Sequence, residues 1–293
     1  MSRETIGFIG LGIMGTGFTR RLKASGWRVV GYDIAADKVR AAAAHGVEPA
    51  DSPAAVARAA DIVLVCVVST AAVEEVALGK GGLIETPGKG KVAVDHSTTE
   101  IDATKRIAAT LADRTGLAWV DGPVSGGPAA AEQGALAIMA GGTDAAIARV
   151  SPVMKQLASR FTHMGPSGAG QATKMINQVL VLTNYCVLAE AMRLGEACGV
   201  DVAKVPEALA TGHAGSTMLK DIFPRMLARD FAPRGYARQV LKDLDMVQDL
   251  AAHMKVPTPM ATMAGTLFRL LVSRGHSELD ASAILKLYMK EPL

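Results

Sequence analysis

Lys174, Asn177 and Gln178 stand at spacing i, i+3 and i+4 in a stretch with no Gly or Pro between Gly170 and Gly195. That spacing puts an ammonium and two amides on one face of a helix. Just upstream, Gly165, Pro166, Gly168 and Gly170 interrupt regular structure. The three polar groups therefore project beside a glycine-rich entry loop. A lysine in such a place can move a proton if its pKa falls toward neutrality. Desolvation, a neighbouring cation and the positive end of a helix all push it that way.

A second chemical signal lies at the start. The apolar run Thr5–Ile9 leads into Gly10-Leu11-Gly12-Ile13-Met14-Gly15, a helical pattern over Thr16–Ser25, a stop at Gly26, and an apolar run Trp27–Tyr32 ending at Asp33. This is G-x-G-x-x-G between a strand and a helix, with an acid 18 residues after the last glycine. Gly10 permits a tight turn, Gly12 lets the backbone approach a pyrophosphate, and Gly15 lets helix pack on strand. The free N–H groups of the helix start suit phosphate. Asp33 can accept from both hydroxyls of a ribose and would repel a 2′-phosphate. No arginine follows it directly, so NAD is expected over NADP. Further on, Ser125-Gly126-Gly127 offers a hydroxyl and exposed backbone N–H groups, a nest for a carboxylate.

Apolar runs and helical patterns alternate around these motifs. Helices are expected over Ala35–His45, Ser52–Ala59 (with Ser52 as cap and Pro53 at the first position), Ala71–Leu78, Ile101–Arg114 and Asp144–Leu157. Strands are expected over Asp61–Val68, Lys91–Asp95, Leu117–Val120, Ala135–Ala140 and Phe161–Met164. Repeated strand–helix units imply an α/β, Rossmann-type doubly wound parallel sheet. Ligands then bind beyond the carboxyl ends of the strands, where Gly10–Gly15, Val67–Thr70, Ser97–Thr98 and Ser125–Gly127 would line one crevice. The helix Gln171–Gly195 holds 25 residues, roughly 37 Å at 1.5 Å per residue. Apolar residues occur on all its sides, which predicts burial in a large core or between domains. Beyond it the pattern is helical: Val202–Ala210, Thr217–Ala228, Arg238–His253, Pro259–Ser273 and Ser282–Met289. The expected organisation is a dinucleotide-binding domain over 1–165 and an all-α domain over 166–293, joined by the long helix.

Composition narrows the partners. The 31 basic and 28 acidic residues leave a net charge of +3, and no Lys/Arg run tracks a nucleic-acid backbone. Asn177, Gln178, Asn184, Glu190 and Arg193 interrupt the long helix, so no membrane span is expected. No signal peptide is visible. Cys66, Cys186 and Cys198 lack metal-ligand spacing and read as reduced packing residues of a cytoplasmic protein. The six histidines are scattered, so no metal site is expected.

With these residues in view, the chain resembles the β-hydroxyacid dehydrogenase family along essentially its whole length. Gly7-Phe8-Ile9-Gly10-Leu11-Gly12-Ile13-Met14-Gly15 looks like that family's signature, and Asp121-Gly122-Pro123-Val124-Ser125-Gly126-Gly127 resembles its substrate loop. Gly168-Ala169-Gly170-Gln171-Ala172-Thr173-Lys174-Met175-Ile176-Asn177-Gln178 resembles its catalytic stretch, and Lys242-Asp243-Leu244 matches a fourth element. The branch looks like 3-hydroxyisobutyrate dehydrogenase and tartronate semialdehyde reductase. The resemblance implies Lys174 as general acid/base. It implies Ser125, Gly126 and Gly127 on the substrate carboxylate, and Asn177 and Gln178 as substrate contacts. Val67, Val68 and Thr98 would touch the cofactor, with Lys242 on the nicotinamide side. It implies hydride transfer between NAD and a small 3-hydroxy acid, and a homodimer or homotetramer. The alternative is an NADPH-dependent glyoxylate, succinic or tartronate semialdehyde reductase, against which Asp33 argues. Two positions depart from the pattern: Gln178 replaces a frequent second Asn, and His96 a frequent Ser.

Overall fold

The computed structural model describes residues 4–289. The chain forms two compact units that divide between Lys174 and Met175.

In order, the first unit runs β1 (Thr5–Ile9), α1 (Ile13–Ala24), β2 (Arg28–Tyr32), α2 (Ala36–Ala43), β3 (Glu48–Pro49), α3 (Pro53–Ala59), β4 (Ile62–Val65) and α4 (Thr70–Leu78). It continues through β5 (Val92–Asp95), α5 (Ile101–Thr115), β6 (Ala118–Asp121), β7 (Val124–Ser125), α6 (Gly127–Gln133), β8 (Leu136–Gly141), α7 (Asp144–Leu157) and β9 (Ala158–Gly165). All the strands share one sheet, in the order β3-β2-β1-β4-β5-β6-β8-β7, with β9 paired to β8. Strands β3 to β6 of that order are parallel; β8 runs antiparallel to β6 and β7 and parallel to β9.

Both faces of the central strands β1, β4, β5 and β6 are covered, which is why they read as unbroken apolar runs. Ile6, Phe8, Ile62, Leu64, Val92, Val94 and Val120 pack on one side with Phe18 and Leu22 of α1. Their chain neighbours Ile9, Val63, Val65, Ala93 and Trp119 pack on the other with Val56 of α3, Val73 of α4 and Leu111 of α5. Each fully buried Ile, Leu or Phe stabilises the unit by about 1.5–3 kcal/mol. The parallel strands also end in line. Tyr32, Ile9, Val65, Asp95 and Asp121 are successive register partners, so the segments following β2, β1, β4, β5 and β6 leave from one edge.

Local differences from the sequence pattern have physical reasons. Helix α1 starts at Ile13, inside the glycine motif, because the Thr16 N–H already donates to the Gly12 carbonyl at 2.8 Å. Strand β4 stops at Val65 rather than Val68, since the Val67 N–H leaves the ladder for the Ser97 hydroxyl at 2.9 Å. The Ser125–Gly127 segment, expected as an open loop, is the end of a short strand and the first turn of α6. Gly126, at φ +127°, makes the reversal that a side chain would resist.

The second unit takes most of α8 (Ala169–Ala197), then α9 (Val205–Ala208), α10 (Thr217–Leu227), α11 (Ala237–Met254) and α12 (Pro259–Leu271). Short 3₁₀ segments span Val202–Lys204 and Ala281–Tyr288, where continuous α-helix was expected. Its core gathers Leu182, Ala189 and Met192 of α8 with Phe223, Met226, Leu244, Phe268, Leu271 and Ile284. Arg225, 8% exposed, is satisfied there by Asp280 at 3.0 Å, Asp230 at 3.2 Å and the Ala232 carbonyl at 2.8 Å. Those bonds fix the turn ahead of α11.

Two sequence expectations change. Helix α8 is not buried all round: Ile176, Leu180, Val187 and Leu194, spaced 4, 7 and 7 apart, are exposed along one side. By length and hydropathy (1.2) α8 could cross a membrane, yet its other side packs into the helical core. Cys198 is exposed rather than packed, whereas Cys186 is buried.

Candidate active site

The first unit carries the phosphate-type loop at the carboxyl edge of β1. Gly10 has φ +97°, and a Cβ there would lie 2.1 Å from the Cys66 carbonyl oxygen. A Cβ on Gly12 would meet nothing within 4 Å, so the backbone at Gly12 faces open space. Helix α1 begins there with no side-chain cap and no acid in its first turn. Its first N–H groups and partial positive charge are therefore left for an anion. Leu11 is buried, Met14 is half-buried and Ile13 is exposed. Asp33 closes the loop: its Oδ2 accepts from Leu11 N at 2.8 Å and its Oδ1 from Ala35 N at 2.9 Å. A carboxylate offers about four acceptor positions, so two ribose hydroxyls can still be met. Lys38 Nζ stands 3.8 Å from Asp33 Oδ1. Val67 and Thr98 are half-buried and Val68 is exposed, on the segments after β4 and β5. These residues fit a dinucleotide.

Three buried polar side chains tie the start of α8 to this edge. Asp121, at the end of β6, accepts from Gly168 N at 2.8 Å and Gln171 N at 3.0 Å. It thereby caps the helix from another strand. Gln171 donates to the Ser97 carbonyl at 2.9 Å and accepts from Thr99 N at 3.1 Å. Asp95, the register partner of Asp121, accepts from Ser97 N at 2.9 Å and the Thr99 hydroxyl at 2.6 Å. Burial pushes the Asp95 carboxyl up to about 6, against the pull of its hydrogen bonds. Burial raises Asp121 as well, opposed by the backbone N–H groups it caps. Gly170 is required in this clasp, because a Cβ there would lie 2.5 Å from the Asp121 and Met139 carbonyl oxygens.

The clasp delivers Lys174 to the substrate-type loop. Its side chain is 8% exposed, and Nζ donates to the Val124 carbonyl at 2.7 Å. Ser125 follows directly, half-buried, and then Gly126 and Gly127 with φ of +127° and +72°. Helix α6 begins here without a side-chain cap. These contacts also explain why the first turns of α8 belong to the first unit, although the sequence divides the chain at 165/166.

In the second unit, Asn177 donates to Gln178 Oε1 at 2.8 Å, and Gln178 Nε2 donates to Asp243 Oδ2. Lys242 pairs with Asp243 Oδ1 at 2.9 Å. The glutamine that departs from the family pattern thus joins Asn177 to the Lys242-Asp243 pair.

Comparison with known proteins follows this geometry. Residues 5–165 match the family described as the NAD binding domain of 6-phosphogluconate dehydrogenase. Residues 168–288 match that described as NAD-binding of NADP-dependent 3-hydroxyisobutyrate dehydrogenase. The chain is 35% identical to 2-hydroxy-3-oxopropionate reductase of Escherichia coli over 283 residues, 96% of each chain. The chain belongs to the β-hydroxyacid dehydrogenase family. This β-hydroxyacid dehydrogenase is also 33% identical to 2-(hydroxymethyl)glutarate dehydrogenase of Eubacterium barkeri, over 97% of this chain and 94% of that one. Its fold is similar to that of the 3-hydroxyisobutyrate dehydrogenase of Mycobacterium tuberculosis solved with L-serine, at a TM-score of 0.84 and 29% identity, covering 98% and 99%. It is an NAD(P)-type oxidoreductase of hydroxyacids.

Sequence reasoning did not foresee the bonds that three buried polar residues make around the start of α8. Ser97 and Gln171 stand in segments the sequence singles out, but the bond between them joins residues 74 apart in the chain. Asp121 was visible as an acid ending a strand beside glycines, but its capping of α8 depends on the fold.

Proposed function

We propose that this protein transfers a hydride between NAD and the hydroxyl carbon of a small 3-hydroxy acid, or runs the reverse semialdehyde reduction, with Lys174 as general acid/base. The observation that carries this reading is the buried Lys174 Nζ on the Val124 carbonyl, one residue from Ser125. The names of the relatives agree: 2-hydroxy-3-oxopropionate, 2-(hydroxymethyl)glutarate and L-serine each join a carboxylate to an oxygen on the β-carbon.

The nicotinamide supplies the hydride acceptor when bound. The chain supplies the rest. Ser125, with the backbone N–H groups of Gly126 and Gly127, holds the carboxylate. Lys174 in its neutral form takes the hydroxyl proton as the carbon–hydrogen bond breaks. In reduction its ammonium returns that proton to the nascent alkoxide. Asn177, one turn further along α8, orients the substrate, and Gln178 and Asp243 restrain its amide. Gly10 to Gly15, Val67, Val68 and Thr98 hold the dinucleotide. Asp33 selects NAD. No step calls on a metal.

The test is a panel of initial rates with 3-hydroxyisobutyrate, L-serine, glycerate and 2-(hydroxymethyl)glutarate, each with NAD and with NADP. One acid is expected to dominate, with NAD. Comparable rates with simple alcohols lacking a carboxylate would refute the reading.

The exposed stripe Ile176, Leu180, Val187 and Leu194 on α8 supports a homodimer or homotetramer, since an apolar helix face of that length gains by leaving water. Sedimentation at micromolar concentration should show a dimer or larger; a monomer alone would count against it.

A further inference from the structure

His96 follows β5 directly, and the scheme above does not use it. Its ring is 3% exposed and stacks on Phe18 of α1, with centroids 4.9 Å apart and planes at 22°. Nδ1 lies 2.6 Å from the Gly122 carbonyl oxygen. A carbonyl only accepts, so Nδ1 carries the hydrogen and Nε2 bears the lone pair. Nε2 is buried and has no hydrogen-bond partner among the described residues. Burial holds the ring's pKa down to about 4, which keeps this neutral, Nδ1-protonated form at neutral pH. A phenyl ring could stack on Phe18 without burying a lone pair. What the imidazole adds is the bond to Gly122.

That bond grips the turn that joins β6 to β7, where the Pro123 carbonyl also accepts from Met139 N at 3.2 Å. The backbone around it is anchored: His96 N donates to Val65 O and Gly122 N to Asp95 O, both at 2.7 Å. Pro123 follows and has no N–H of its own to donate. Val124 comes next, whose carbonyl holds Lys174 Nζ, and then Ser125. We infer that His96 is a positioning residue: its Nδ1–H···O=C bond to Gly122 sets the Gly122–Ser125 segment, and with it the Lys174 ammonium and the Ser125 hydroxyl. The catalytic half of this inference rests on the role proposed for Lys174.

Three variants separate positioning from packing. His96→Phe keeps a stacking ring and loses the donor. His96→Asn loses the ring, but its Nδ2 can occupy the Nδ1 position and donate to Gly122. His96→Leu matches Asn in shape without a donor. On the best acid of the panel, His96→Phe and His96→Leu should lower kcat about 10-fold or more, as small misplacements of reacting groups do. KM for NAD should stay near wild type, and His96→Asn should recover most of the rate. If ring packing were the whole role, Phe would be near normal and Asn impaired, and the inference would fall. Hydrogen exchange of the 122–127 backbone, read by mass spectrometry, needs no turnover. It should quicken in Phe and Leu and stay near wild type in Asn; equal exchange in all three would overturn the inference. If the wild-type protein oxidises no acid, the proposed function fails while the exchange experiment still decides on His96. If the Phe variant does not fold, the Asn–Leu comparison carries the test.

Discussion

Lys174→Ala should lose about 10² to 10⁴-fold in kcat, the span that a positioned proton-transfer group contributes, while NADH affinity changes less than about 3-fold. The side chain donates to the Val124 carbonyl in the substrate-type loop, outside the glycine motif proposed to hold the dinucleotide, so NADH binding should survive its removal. Lys174→Arg sharpens the experiment. A guanidinium can still donate to the carbonyl, yet it does not deprotonate in a protein, so it cannot take the alcohol's proton. Arg should therefore be nearly as inactive as Ala in oxidation. Added methylamine should restore part of the rate to Ala and none to Arg. Kinetics combined with NADH fluorescence titration read both quantities; an Ala variant turning over at half the wild-type rate would remove the lysine from the chemistry.

The legible part of this protein is the part written in local spacing. Gly10, Gly12, Gly15 and Asp33 could be placed because one strand–turn–helix–strand unit positions them all within a short length of chain. Lys174 and Asn177 could be placed on one face because helical periodicity alone decides it. Ser52 and Pro53 announced α3 through cap chemistry, and Ser52 does accept from Ala55 N at 3.1 Å. What was not legible depends on pairs distant in the chain. The start of α8 is capped by Asp121 and pinned through Gln171 to Ser97 and Thr99, so the helix begins earlier than its apolar pattern. Its apolar residues around the full circumference could not reveal which side the helical core would cover. Nor does His96 announce itself: a histidine after a strand gives no sign of a carbonyl that becomes its neighbour only when β5 and β6 pair. Residue types thus suggest a chemistry, whereas the bonds that position those residues come from the sheet.

The cofactor choice shows the same division and gives the second large effect. The sequence marks Asp33 by its place after the second strand, and the structure adds a further duty. Its two oxygens already hold Leu11 N and Ala35 N, so the carboxylate also shapes the glycine loop. Replacing it by alanine would remove the proposed ribose acceptor and this brace together. Asp33→Asn is the cleaner variant, since its amide oxygen can keep one backbone bond while the negative charge is gone. A hydrogen bond to a charged group contributes about 1.5–3 kcal/mol, so kcat/KM with NAD should fall about 10- to 100-fold. If Asp33 selects NAD as proposed, use of NADP should rise, because the charge that would repel a 2′-phosphate is gone and Lys38, 3.8 Å away, loses its anionic neighbour. The ratio of the two cofactors should therefore move by more than either rate alone. Alanine should move the ratio in the same direction but weaken both cofactors, since the loop loses its brace. An Asn variant with the wild-type NAD/NADP ratio would show that selectivity resides elsewhere on the edge, and Asp33 would then be a loop brace only.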